Sequence, residues 1–144
     1  DGSHVWAWTD PPPEMPERAP QGWLLEPDAS LLRAGYVRQL AAQLGAAQID
    51  PTIAYLTMDS APDTRWARAW RIHDWMPFNL KRLKAYLRER GIGRVTVTKR
   101  GHAMTPEQLL AALKPDGSGD ERVVVLTRVL GQPAVVICEP PTPR

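Results

Sequence analysis

Hydrophobic residues recur along this chain with two periodicities, one typical of helices and one typical of strands. From Leu32 to Leu44 every fourth residue is apolar or aromatic, and this spacing places side chains on one face of a helix. Asp28 precedes the stretch as a favourable N-cap. Gly45 follows it and readily takes the left-handed conformation that ends a helix. The pattern predicts one helix between these two residues.

Two further helices are predicted from their start signals. Asn79 is a cap residue before a segment whose leucines share one face and whose Lys and Arg residues share the other, and Gly91 ends that segment. The sequence TPEQ at 105–108 is a capping box with proline at the first helical position. The helix that it opens is expected to run to Leu113.

Strand patterns fill the stretches between the helices. Residues 23–27 form an extended lead-in, and strands are predicted at 53–58, 66–75, 94–98, 123–130 and 134–137. The last two form a hairpin around Gly131 and Gln132 with a type II′ turn, and Pro133 favours an edge position because it has no amide to donate. The fold class is therefore α/β of the α+β kind: a small mixed sheet of about five strands with about three helices packed on it.

Length and composition indicate a single intracellular domain. The chain has 144 residues, 43% of them hydrophobic, and it needs no disulfide or metal to build a core. Its one cysteine, Cys138, excludes an internal disulfide and suits a reducing compartment. No apolar stretch approaches the roughly 20 residues of a spanning helix. We expect a soluble, cytoplasmic protein without membrane contact.

Four segments are expected along the chain. Residues 1–4 resemble the remnant of a cleaved tag, 5–21 a proline-rich interdomain linker, 22–139 the domain and 140–144 a tail. The prolines exclude a helix in the linker. In the alternative interpretation Trp6 and Trp8 attach it to the domain surface. The tag remnant and the linker indicate that the domain was cut from a longer protein.

Charge is strongly segregated. The segment 65–100 carries eleven basic and two acidic residues, a net charge of +9, whereas the rest of the chain has a net charge of −7. Such a segment can bind the phosphates of a nucleic acid. The seven residues predicted to contact RNA phosphates are Lys81, Arg82, Lys84, Arg88, Arg94, Lys99 and Arg100. A solvated face, or a surface that docks an acidic partner, is the alternative.

The tryptophans of the same segment also allow two interpretations. Trp66, Trp70 and Trp75 alternate with arginines, and such aromatic and guanidinium planes can stack unpaired bases. Burial in the core is the more frequent role of large rings and is the favoured one here.

Catalytic and cofactor motifs are not found. Gly91 and Gly93 precede a strand, whereas a dinucleotide or methyl-donor loop follows one, so we predict no cofactor site in this domain. His73 and His102 have no ligand partner at metal-binding spacing, and His73-Asp74 has no nucleophile beside it. Cys138 ends an apolar strand, where cysteine acts as a small hydrophobe. Glu26 and Asp28 are a weak candidate for a carboxylate pair. No catalytic residue and no metal site are predicted.

A series of short motifs resembles a known family. The sequences LEPD and LRAG occur at 25–28 and 32–35, DP and IAYLT at 50–51 and 53–57, and PFNLKRL at 77–83. GIGR, KRG and LTRV follow at 91–94, 99–101 and 126–129. In this order they resemble the THUMP-like C-terminal domain of bacterial class I SAM-dependent methyltransferases.

The resemblance implies a non-catalytic domain that presents RNA, typically tRNA, to an N-terminal methyltransferase domain of the same protein. S-adenosylmethionine would be the cofactor of that catalytic domain. The alternative function is a scaffold that docks on its own methyltransferase domain or on a protein partner, through the ends of the 66–75 segment or through the linker tryptophans.

Overall fold

The structure, a computed structural model, describes residues 14–141. The predicted tag remnant, most of the predicted linker with Trp6 and Trp8, and residues 142–144 of the predicted tail lie outside the described residues.

Within residues 14–141 the chain forms seven strands and four helices. In chain order these are β1 (Trp23–Pro27), α1 (Ala29–Ala34), α2 (Val37–Leu44), β2 (Ala47–Gln48), β3 (Leu56–Met58), β4 (Ala67–Pro77), α3 (Leu80–Glu89), β5 (Ile92–Lys99), α4 (Pro106–Leu113), β6 (Asp120–Val129) and β7 (Gln132–Cys138). The predicted class is confirmed, with more strands and one more helix than expected.

All seven strands form one mixed sheet in the order β2-β3-β1-β4-β7-β6-β5. Only β5 and β6 pair in parallel; the other neighbours are antiparallel. The eleven-residue β4 lies at the centre, pairing with β1 through residues 67–71 and with β7 through residues 72–77. This one strand therefore joins the two halves of the sheet.

A bulge in β4 determines which face each of its side chains occupies. The register shifts between Ile72 and Asp74, so His73 is the extra residue. Trp70 and Trp75 consequently lie on the same face although their numbers differ in parity. We call this face the inner face, and the opposite face, which carries Ala69 before the bulge and Met76 after it, the outer face.

The helices pack on the outer face. In the first half of the sheet α2 buries Ala41 against Leu25 and Leu56. In the second half α3 and α4 bury Leu83 and Leu109 against β6 and β7. The caps predicted for α3 and α4 are confirmed: the Asn79 side chain accepts from the Arg82 amide at 2.9 Å, and Thr105 forms a capping box with Gln108.

The inner face is covered by the segment 49–55. Ile49, Ile53 and the fully buried Tyr55 pack on residues of β1, β4, β6 and β7. Asp50, 1% exposed, fixes this segment to the β6–β7 turn. Its carboxylate accepts hydrogen bonds from the amide and hydroxyl of Thr52 at 2.9 and 2.6 Å and from the Gly131 amide at 2.7 Å.

The predicted helix between Asp28 and Gly45 is two helices. Gly35 adopts φ 78° and ends α1, because the amides of Gly35 and Tyr36 donate to Leu32 and Leu31 and close the helix. Asp28 precedes α1 but makes no side-chain cap hydrogen bond. The apolar spacing continues across the break, and each helix buries part of it: Leu31 in α1, and Leu40 and Ala41 in α2.

Three strand predictions are corrected. The lead-in 23–27 is the internal strand β1, and the strand expected at 53–58 is reduced to β3 because residues 49–55 leave the sheet to cover it. The hairpin turn is at Leu130 and Gly131, both with positive φ (49° and 87°), which is the type I′ rather than the type II′ pattern.

Pro133 does not place its strand at an edge, because β7 lies between β4 and β6. The last ladder pair with β4 is Pro77 with Ala134, so Pro133 lies just beyond the end of that ladder. Its carbonyl accepts from the Phe78 amide at 2.9 Å. The missing amide therefore falls where pairing with β4 has ended.

The described end of the predicted linker contacts the domain. The backbone amide of Gln48 in β2 donates to the Pro16 carbonyl at 2.9 Å. The backbone carbonyl of Gln48 accepts from the Arg18 amide at 3.0 Å. Met15 packs beside the α2 cluster and Pro20 is buried. Backbone pairing thus attaches residues 16–18 along the β2 edge.

Candidate nucleic-acid interface

Helix α3 separates apolar from basic side chains. Leu83 and Leu87 point into the outer core at 0% and 5% exposure, because they recur at i and i+4. Lys81, Arg82 and Arg88 are exposed and Lys84 is half-buried. Among the residues that the structure describes, no carboxylate forms an ion pair with any of these four. The helix therefore presents four uncompensated positive charges.

Lys99 ends β5 on the side of the sheet that carries the helices, since its register partner in β6 is the outer-face Leu126. Its ammonium donates to the His102 carbonyl at 3.2 Å. Burial, together with the charges of Lys99 and Arg128, lowers the pKa of His102. A lowered pKa keeps the imidazole of His102 mostly neutral at neutral pH, so it contributes little to the positive field.

Arg94 and Arg100 lie apart from the α3 cations. Arg94 alternates onto the side of β5 opposite Val95 and Val97, and its guanidinium donates twice to the Gly119 carbonyl, at 3.1 and 2.8 Å. Arg100 donates to Glu26 at 3.2 Å and lies 5.6 Å from the centre of the Tyr55 ring.

Glu26 compensates a second arginine as well, since Arg68 lies 3.6 Å from its other oxygen. Glu26 thus neutralises two inner-face arginines and does not form the carboxylate pair with Asp28 that the sequence allowed. Of the seven residues predicted to bind RNA, the structure brings four together on α3 with Lys99 on the same side. It places Arg94 and Arg100 elsewhere.

The tryptophans of β4 belong to the interior. Trp70 is 2% exposed, and Trp75 is half-buried against the inner core because of the bulge. The Arg68 guanidinium lies 4.8 Å from the centre of the Trp70 ring. The favoured interpretation, burial, is confirmed for Trp70, whose ring is closed to a stacking base.

A groove of about 450 Å³ lies beside α3, and sequence reasoning did not find it. Its lining includes Lys84 and Arg88 of α3, the first residues of β5, and the segment that follows α4. Lys114 and Asp116 come from that last segment. Lys114 was missed because it stands alone in the sequence, outside the basic segment, and reaches the α3 cations only through folding.

The other candidate side chains have structural roles. His73 lies 3.2 Å from Glu139 rather than beside Asp74, whose carboxylate accepts from the Trp75 amide. Burial raises the pKa of the Cys138 thiol to about 12, so it is an unreactive apolar group, as predicted. No group of three or more His, Cys, Asp or Glu side chains within residues 14–141 could hold a metal ion.

Gly91 and Gly93 serve backbone packing. Gly91 adopts φ 65° after α3, and a side chain at Gly93 would clash with Asp116 and with the Ser118 carbonyl. These glycines thus form a helix end and a close backbone contact. Their geometry differs from that of a cofactor loop, which leads from a strand into a helix.

A family model described as "THUMP domain-like" matches residues 67–140, just over half of the chain. The matched region begins at β4 and contains α3, β5 and the hairpin. This chain belongs to the THUMP domain-like family. The resemblance found in the short motifs is thereby confirmed.

Relatives of the THUMP-like domain are much longer than it. Two proteins of Mycobacterium tuberculosis, from strains CDC 1551 / Oshkosh and ATCC 25618 / H37Rv, are each named an uncharacterized S-adenosylmethionine-dependent methyltransferase. Each is 32% identical over 135 residues, which are 91% of this chain and 37% of the relative. The chain thus spans little more than a third of these curated relatives.

A solved structure shares the fold. The crystal structure of a "putative methyltransferase" from Porphyromonas gingivalis W83 matches with a TM-score of 0.75 at 19% identity. The match covers 90% of this chain and 32% of that one. The THUMP-like fold therefore occurs within a longer chain there too. Within residues 14–141, no helix has the length and apolar character that crossing a bilayer requires.

Proposed function

We propose that this domain binds RNA through the outer side of α3 and presents it to a catalytic domain elsewhere in the same protein. The observation that carries the proposal is the set of four uncompensated cations on α3: Lys81, Arg82, Lys84 and Arg88. A helix face of this kind suits a phosphate backbone, because each Lys or Arg that contacts a phosphate releases condensed counterions.

The parent protein is proposed to be a SAM-dependent RNA methyltransferase, with tRNA as the substrate to test first. This is supported by the names of the two mycobacterial relatives and by their extra length. S-adenosylmethionine would bind in the N-terminal methyltransferase domain, and this domain would contribute no catalytic group. A cytoplasmic location is proposed from the buried thiol of Cys138.

Lys99 is included in the proposed interface because it lies on the α3 side of the sheet. Arg94 and Arg100 were predicted to contact phosphates too, but their hydrogen bonds to Gly119 and Glu26 compete with that role. We therefore propose α3, with Lys99 at its margin, as the principal contact.

The test is a titration of fluorescent tRNA with the 144-residue chain at several salt concentrations. Four phosphate contacts predict a slope of log affinity against log salt of about −3 to −4. In the double variant Lys81→Glu/Arg88→Glu, affinity should fall at least about tenfold, because two contacts become repulsive.

The matched control is Arg33→Glu/Arg38→Glu. Both residues are exposed, one on α1 and one on α2, and the change in net charge is the same. A general field effect would weaken binding equally in both double variants. Equal losses, or an affinity that does not depend on salt, contradict a specific α3 interface.

Docking on the methyltransferase domain or on a protein partner is the competing outcome. Hydrogen exchange of the full-length parent and of this chain, each without RNA, distinguishes the two functions. Protection of the α3 side only in the parent would favour docking. Unchanged exchange there, with protection on adding tRNA, would favour the RNA interface.

A further inference from the structure

The groove beside α3 has a rigid wall built from glycine contacts. The Gly117 amide donates to the Gly93 carbonyl at 2.7 Å, and the Asp120 amide donates to the Gly91 carbonyl at 2.9 Å. A side chain at Gly119 would clash with the Gly91 carbonyl. The 116–120 loop is thereby fixed against the start of β5 by backbone hydrogen bonds and close glycine contacts.

The charge in this groove is positive. Lys84 and Arg88 approach from α3 and Lys114 from the end of α4. Among residues 14–141, Asp116 is the one carboxylate in the lining, and its Oδ1 accepts from the amide and hydroxyl of Ser118 at 2.9 and 2.7 Å. No ion pair within residues 14–141 involves any of the three cations.

Lys114 occupies a backbone position that favours glycine. It is the C-cap of α4 with φ 50° and ψ 58°, the left-handed conformation that is unfavourable for residues with a Cβ. The same chain uses Gly35 and Gly45 at the corresponding positions of α1 and α2. A lysine is thus accommodated at a cost in backbone energy where glycine would fit freely, and such strain is frequent at functional sites.

A structural role for Lys114 makes a different prediction. A cation near a helix C-terminus can stabilise the helix by interacting with its dipole. In that case, replacing Lys114 by glycine removes a favourable interaction and lowers the melting temperature. If the side chain serves a ligand, the same replacement relieves strain, and the melting temperature stays equal or rises.

We propose that this groove is a phosphate-binding site for an unpaired RNA segment, with Lys114 completing a triad with Lys84 and Arg88. The inference rests on the proposed function and deepens it. A volume near 450 Å³ is within the range of about 300–1,000 Å³ typical of small-ligand pockets. A space of this size can hold one unpaired nucleotide with its phosphate, whereas a base that is paired within a duplex is not free to enter it.

The test compares Lys114→Gly with the unaltered 144-residue chain on two probes, a 12-nucleotide oligouridylate and a 12-base-pair RNA duplex, at the same salt concentration. Loss of one phosphate contact should weaken oligouridylate binding about three- to tenfold. Duplex affinity should change less than about twofold, because paired bases are not free to enter the groove. Melting temperature, measured in parallel, should not fall. Arg33→Gln, which removes an exposed cation of α1, is the matched control.

The outcomes separate this inference from the proposed function. If Lys114→Gly leaves oligouridylate binding unchanged while Lys81→Glu/Arg88→Glu weakens tRNA binding, the groove assignment is wrong and the α3 interface stands. A lower melting temperature with unchanged affinity makes Lys114 a structural cap and also overturns the assignment. If the unaltered chain binds neither tRNA nor oligouridylate, the proposed function itself fails.

Discussion

Asp50 and Glu26 on the inner face differ from the four α3 cations on the outer face, because only the two carboxylates have partners within the described residues. On the inner face Asp50 is buried among three hydrogen bonds, and Glu26 compensates Arg68 and Arg100. On the outer face the four cations of α3 extend from the helix without a carboxylate partner in the described chain.

The same residue type therefore has different consequences on the two faces. Removing an inner-face charge leaves its partner unsatisfied, which is costly in a poorly hydrated environment. Removing one of the four α3 cations leaves no partner unsatisfied and should change the protein's interactions with other molecules rather than its own stability. Stability and binding are thus separable by face, and the following substitutions test that separation.

The largest effect on stability is expected from Asp50→Ala. The substitution leaves the Gly131 amide and the Thr52 donors without an acceptor and releases the 49–55 segment from the inner face. We expect a loss of about 2–4 kcal/mol in the free energy of unfolding, measured by urea denaturation. RNA affinity of the remaining folded protein should not change.

Asp116→Ala is the matched control, because Asp116 makes the same two hydrogen bonds, to the amide and hydroxyl of Ser118, but is exposed. Its loss of stability should be clearly smaller than that of Asp50→Ala. Equal losses would mean that the local turn, rather than burial and the Gly131 bond, determines the contribution of Asp50.

Asp50 should also make the domain sensitive to acid. Burial alone would raise the pKa of its carboxyl, but hydrogen bonds from Thr52 and Gly131 and the charge of Arg128 outweigh it and hold the pKa below the ordinary 3.8. A lowered folded-state pKa stabilises the protein above the unfolded-state pKa, and this stability is lost as pH falls through the folded-state value. Urea denaturation from pH 6 to pH 2 should show that the free energy of unfolding falls less steeply with pH in Asp50→Asn than in the unaltered chain.

An intermediate effect is expected from Glu26→Gln. Arg100, partly buried over Tyr55, loses the charge of its partner, and we expect a cost of about 1–2 kcal/mol in unfolding free energy. The matched outer-face variant is Glu89→Gln, whose pair with Arg90 is exposed and long at 3.8 Å. That variant should stay within about 0.5 kcal/mol of the unaltered chain. Similar costs for the two variants would contradict the contrast between the faces.

The smallest change in stability is expected from Lys81→Gln, within about 0.5 kcal/mol, although RNA affinity should fall several-fold. Arg100→Gln should show the reverse: reduced stability in urea and nearly unchanged affinity. Paired denaturation and anisotropy measurements on both variants check this. A loss of affinity in Arg100→Gln as large as in Lys81→Gln would move the interface away from α3.

Local chemistry was predictable from the sequence. The structure contains the predicted caps at Asn79 and Thr105 and a strand at the predicted position of β4. Each of these features depends on interactions between residues that are close in sequence. The basic face of α3 was likewise readable, because helical spacing alone separates Lys81, Lys84 and Arg88 from Leu83 and Leu87.

Non-local pairing was not predictable. Arg100 and Glu26 are 74 positions apart, and nothing in either neighbourhood indicates that they meet. The break at Gly35 was hidden because apolar spacing continues across it, and the internal position of β7 was hidden because Pro133 lies just past a ladder end. Lys114 could have been suspected only from the missing glycine at the end of α4.

The central position of β4 has a consequence for dissecting this protein. The family match starts at Ala67, the first residue of β4, whereas half of that strand pairs with β1 and the inner core needs Leu24 and Tyr55. A fragment limited to the matched residues would expose an open strand edge and the apolar surface around Trp70, both of which promote aggregation. The autonomous folding unit is therefore larger than the recognisable signature.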